Sequence, residues 1–131
     1  MILQIFHDRH SLTDVAALKA ALEDCYSAFG LQVQERGFLY VPVPGSEANA
    51  ALLLKYLDRA AGKARALWLV DRDLHYPGIG PVFGCSAGHA ALLCADPDKE
   101  VLAKEGMHEV GHLLGLERCR NSCVMSLSDS K

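Results

Sequence analysis

The sequence predicts an α/β domain built on a largely parallel sheet, and three observations carry that reading. Apolar runs of strand type at residues 2–6 and 66–70 are separated by stretches whose apolar residues recur at helical spacing. The run Ala66, Leu67, Trp68, Leu69, Val70 is too continuously apolar for a strand with one wet face. The order strand, helix, strand, helix, strand is that of parallel strands joined by right-handed crossovers.

Each element has a local reason. After the first strand, Ser11-Leu12-Thr13-Asp14 is a variant of the capping box. Val15, Leu18, Leu22, Cys25 and Phe29 then recur at helical spacing until Gly30 closes the helix, which reads Cys25 as a buried residue. Residues 31–43 read as a second, longer strand ended by Pro42, Pro44 and Gly45. Ser46 begins a helix carrying Leu52, Leu53, Tyr56 and Leu57, with Gly62 near its stop. Residues 73–81 are rich in Gly and Pro and read as a loop at the carboxyl end of a buried strand, where open α/β sheets place ligand crevices. Val82-Phe83 is a short apolar step. Residues 89–95 form a further strand, an edge on which an extended peptide can pair by its main chain. Asp96-Pro97-Asp98 then supplies an N-cap and a proline at the first helical position.

The helix that starts there carries His108-Glu109-Val110-Gly111-His112-Leu113-Leu114-Gly115. Residues four apart on a helix share a face at about 6 Å, so the imidazoles of His108 and His112 can converge on one ion, the spacing a zinc site needs. Glu109 lies about 100° round the helix, within reach of an activated water as general base without ligating the metal. Leu102, Ala103, Gly106, Met107, Val110, Leu113 and Leu114 fall on one arc, facing a core. His108, His112 and Glu105 fall on the opposite arc, facing a cleft.

Composition bounds the rest. With 131 residues, half of them apolar (50%), the chain is expected to be a single domain over 1–131. A net charge of −3 and scattered basic residues leave no stripe for nucleic acid. No apolar run is long enough to cross a bilayer, and the opening run is too short and too soon charged for a signal peptide, so a cytoplasmic protein without a membrane partner is expected, as a monomer or weak oligomer. The 5 cysteines, odd in number and irregularly spaced, read as thiols or metal ligands. Cys85 and Cys94 read as small buried residues flanking the cleft. His7 and His10 take surface or turn roles, whereas His75 and His89 lie in segments that rim the cleft, where either can contact substrate or replace a ligand. Asp71 and Asp73 end a strand and shape a turn. The polar tail at residues 126–131 is expected to be mobile.

The motif in its surroundings resembles an archaemetzincin, a compact metzincin-type zinc peptidase. The resemblance rests on 108–116 together with Cys119, Cys123 and Met125 behind it, and on 73–78 and 82–84 ahead of it; it is strongest from Trp68 to Met125. It implies a compact metzincin-like α/β domain whose mixed sheet, mostly parallel with one antiparallel edge strand, packs on helices that include the active-site helix. It also implies a catalytic Zn²⁺ held by His108 and His112, Glu109 as the catalytic base, and a peptide substrate. Gly115 matches the glycine that lets the chain turn off the helix toward a third ligand. Met125 sits where the family places a methionine beneath the metal-binding side chains; an ordinary core methionine is the alternative.

Two departures stand against the match. The family's third histidine position holds Arg118, and a guanidinium that cannot deprotonate is no zinc ligand. Three outcomes stay open: Glu117, Cys119 or Asp129 substitutes; the ion binds weakly through His108, His112 and waters; or the site is empty with Arg118 near Glu109. The resemblance further implies four cysteines for a structural zinc. This chain supplies Cys119 and Cys123, one residue closer together than expected, and a closed site needs four ligands. A second zinc is therefore not expected unless Cys85, Cys94 or a partner is recruited. The leading expectation is zinc-dependent peptide-bond hydrolysis, impaired by Arg118. The alternatives are an inactive pseudo-peptidase that binds peptide or metal without turnover, and a metal-buffering protein using His108, His112, Cys119 and Cys123.

Overall fold

The computed structural model describes residues 2–8, 12–41, 47–94 and 99–115. Its centre is a pair of parallel strands, β1 (Ile2–His7) and β4 (Arg65–Val70), buried on both faces. All residues from Ala66 to Val70 are fully buried. Leu67 and Leu69 pack on one side with Leu3 and Ile5, and Ala66, Trp68 and Val70 on the other with Phe6. The period of two still operates, but both faces meet apolar layers, which is why the run shows no polar alternation.

The main sheet has five strands in the order β2-β1-β4-β8-β7, with β2 (Gln32–Phe38) and β8 (Ala90–Cys94) also parallel and β7 (Gly84–Ala87) antiparallel at the edge. This is the expected mixed α/β architecture. Helices α1 (Leu12–Cys25) and α3 (Lys99–Leu113) cover one face, and α2 (Ala50–Ala61) covers the other. The helices α1 and α3 meet closely at Gly106, where a Cβ would lie 2.5 Å from a Leu18 methyl. Among the described residues, no helix is long and apolar enough to cross a membrane.

Several expectations need correction. The helical stripe does not continue to Phe29: α1 ends at Cys25, which is exposed, and Tyr26 takes the buried position instead, ahead of a 3-10 turn at Ser27–Phe29. The second strand stops at Phe38, because the Leu39 carbonyl turns to accept the Trp68 indole N–H at 2.8 Å. The second helix does not start at Ser46, which lies outside the described residues. A short strand, β3 (Glu47–Asn49), comes first, and Asn49 then caps α2 by accepting the Leu52 N–H at 3.2 Å.

The segment 73–81 is not a loop. β5 (Asp73–Tyr76) and β6 (Gly80–Val82) form an antiparallel hairpin and join β3 in a second sheet of order β3-β5-β6. Its turn residues fit the hairpin bend, and the alternation of exposed Asp73 and His75 with buried Leu74 marks the strand. The strand over residues 90–94 is interior, between β4 and β7, so the edge expected there belongs to β7. His7 is no surface residue either. As the last residue of a central strand it is 2% exposed and packs its ring against Phe38 at 4.4 Å.

Candidate metal centre

On α3 the motif folds as its spacing requires. The Nε2 atoms of His108 and His112 lie 3.1 Å apart, with ring centroids 4.6 Å apart and ring planes at 90°. Two nitrogens each 2.0–2.1 Å from a tetrahedral ion stand roughly 3.3 Å apart, so these two donors are near the separation that a shared zinc imposes. Without an ion the same contact is a hydrogen bond in which one neutral ring donates and the other accepts. The donor set fits zinc: two imidazole nitrogens of one helical face, aimed at a common point.

Burial around the pair is uneven. His108 and Glu109 are fully buried and His112 is half-buried, so solvent meets the pair on the His112 side. The expected opposition of a core arc and an open arc therefore holds only in part. Leu102, Val110 and Leu113 enter the core with Met107 and Leu114 packed against it, but on the polar arc His108 is buried as well, with Glu105 and His112 half-buried. The cover over Glu109 is β7. A Cβ built on Gly84 would lie 3.1 Å from Glu109 Cγ and 2.6 Å from the Leu92 carbonyl oxygen, so only glycine lets the edge strand approach this closely.

Two further contacts set the ends of the motif. The buried Tyr26 hydroxyl donates to the carbonyl of Met107, the residue before His108, at 2.5 Å, and burial pushes the Tyr26 pKa well above its usual value. Gly115 adopts φ 85 just after the helix, the left-handed turn expected of it. Arg118, Cys119, Cys123 and Met125, with Glu117 and Asp129, lie outside the described residues. Among the described residues no group of three His, Cys, Asp or Glu side chains could hold a metal ion, so a third protein ligand is not found there.

The remaining candidates do not join the pair. His75 lies on β5 and His89 in the β7–β8 turn, both exposed. Cys85 and Cys94 are buried as expected, with Cys94 Sγ 3.4 Å from the Arg72 carbonyl and 3.5 Å from that of Val82. Asp71 and Asp73 are exposed at the end of β4 and the start of β5. The sequence reading missed Gly84 and Tyr26; a glycine between apolar Phe83 and Cys85 was the available signal for the first. It also missed Asp8, fully buried at the carboxyl end of β1, whose carboxylate oxygens have no hydrogen-bond partner among the described residues.

Fold and motif define a class: an α/β domain with a His-Glu-x-x-His helix laid under an antiparallel edge strand. The model of Peptidase family M54 matches residues 67–131. An archaemetzincin of Pyrococcus horikoshii is 30% identical, covering 94% of this chain and 80% of its own. One of Methanopyrus kandleri is 37% identical over 102 residues, or 70% of this chain. The crystal structure of the M. kandleri protein superposes with a TM-score of 0.80 at 29% identity, covering 99% of this chain and 82% of that one. A zinc-dependent peptidase from Methanocorpusculum labreanum shares the fold at a TM-score of 0.71 and 22% identity, covering 94% of this chain and 86% of its own. The chain belongs to the archaemetzincin family of metallopeptidases. Its match spans 58% of the M. kandleri sequence, little more than half.

Proposed function

We propose that this chain hydrolyses peptide bonds with a zinc ion held by His108 and His112, as a cytoplasmic protein. The observation that carries the proposal is the 3.1 Å convergence of the two Nε2 atoms with the Glu109 carboxylate on the adjoining position of the same turn. When bound, the ion polarises the scissile carbonyl and makes water a better nucleophile near neutral pH. Glu109 takes the proton of the attacking water and delivers it to the leaving nitrogen. Burial of Glu109 under β7 restricts its rotamers and keeps bulk water from competing for that proton. The margin of β7 to which no strand pairs among the described residues is where an extended substrate would add by main-chain pairing. Membership of a family of metallopeptidases supports a metal-dependent reaction, and the two converging imidazoles favour zinc.

Cleavage of a mixed peptide library tests the assignment. Glu109→Gln is expected to lose at least about a hundredfold in rate, within the usual range for removing a general base, while retaining zinc. An unchanged cleavage profile would remove Glu109 from its role. One observation favours a second reading, a pseudo-peptidase: Arg118 stands where the family's third histidine is expected. Arg118→His separates the two. It is expected to tighten zinc binding by more than about tenfold, since losing a direct ligand costs more than the roughly 10- to 100-fold of losing a group that only supports one. Unchanged affinity in competition with a fluorescent chelator would mean that another group already completes the site.

A further inference from the structure

On the sheet face away from α3, a groove of about 380 Å³ runs between β3 and α2. All three residues of β3 line it. Side chains of consecutive strand residues point to opposite faces, so a groove that touches three in a row meets the strand along its edge. That edge is open: β3 pairs with β5 on one side and with no other strand among the described residues. The opposite wall is the outer stripe of α2, where Leu52 is 59% and Tyr56 39% exposed, far more than residues of their size need to be on a helix that already buries Leu53, Leu54 and Leu57. Lys55 and Arg59, one turn apart, flank that stripe and outweigh the carboxylate of Glu47.

We propose that this groove docks an extended segment of a partner protein by strand addition to β3, the segment carrying an apolar side chain for Leu52 and Tyr56 and acidic side chains for Lys55 and Arg59. An open strand edge supplies main-chain donors and acceptors to an extended chain, while the wall beside it selects alternate side chains. The two cations fix the sign of the flanking charge. The surface is independent of the metal centre and does not rest on the peptidase reading.

The test uses the full chain as Glu109→Gln, so that the probe is not cut. The probe is a fluorescein-labelled, acetylated and amidated hexapeptide alternating valine and glutamate, followed by anisotropy and by amide chemical shifts. Saturable binding with shifts at residues 47–49 and 52–59 is expected. Leu52→Asp should abolish it, and Lys55→Glu with Arg59→Glu should weaken it about tenfold and remove most of its salt dependence. Leu52 and both cations lie outside the core, so circular dichroism should report both variants folded. Equal binding of a control hexapeptide with lysine in place of each glutamate, shifts confined to residues 84–87, affinity unaltered by either variant, or complete displacement by octanoate would each overturn the proposal.

Discussion

Gly84 and Glu109 illustrate how much one missing side chain can decide. The edge strand reaches Glu109 only because nothing projects from Gly84, and a methyl there would press on the Leu92 carbonyl, which as backbone cannot rotate away. Gly84→Ala is expected to destabilise the domain by about 1–3 kcal/mol, the usual cost of overpacking, and to shift Glu109 off its position. Urea unfolding and peptide cleavage should therefore both report it, with zinc affinity changing less than rate. Full stability with full activity would mean that β7 moves freely over the helix. At this scale the sequence was legible where geometry depends on spacing within one helix, as for the approach of His108 and His112 on α3. It was silent where it depends on contact between strands and helices distant in the chain, as for Gly84, Tyr26 and the burial of His7.

The element that carries His108, Glu109 and His112 is α3, and its attachment to the rest is specific. Tyr26, at the end of α1, holds the carbonyl of Met107 and thereby the turn on which His108 begins. The hydroxyl is the donor, so the bond requires the protonated form. Because the folded-state pKa is raised, this contribution is complete below the unfolded tyrosine value of about 10 and is lost as pH rises from there toward the folded one. Stability measured by urea between pH 8 and 11.5 should fall above about pH 10, and Tyr26→Phe should flatten that fall; identical slopes would show that other groups cause it. Element type is legible from helical spacing for α3 and from continuous apolar runs for β1 and β4. It is hidden at β5 and β6, where the glycines and prolines of the hairpin turn dominate the segment, and at β3, where three residues are too few to display a period.

At the scale of the molecule, helices on both faces enclose β4 completely and leave the sheet two edges, β2 and β7. The helix α3 belongs to the α1 face, so any ion held by His108 and His112 would be coupled to global folding through one core. Zinc at about one hundred times its dissociation constant should stabilise the protein by about 2.7 kcal/mol, a rise in melting temperature of several degrees that His112→Ala abolishes. A melting curve indifferent to zinc would argue for a vacant site. The parallel order was legible because buried strands must be apolar throughout. The antiparallel edge came only from resemblance, since four residues reading Gly84-Cys85-Ser86-Ala87 advertise neither face.

The position of β7 has a consequence for selectivity. It is tied to the sheet along one ladder, with Glu109 beneath it and its other margin unclaimed by any strand among the described residues. A polypeptide stretched along that margin would be measured in steps of about 3.4 Å by groups that every amino acid possesses. Such a ruler reads direction and distance, not identity, so discrimination among cleavage positions would fall to the walls beyond the strand.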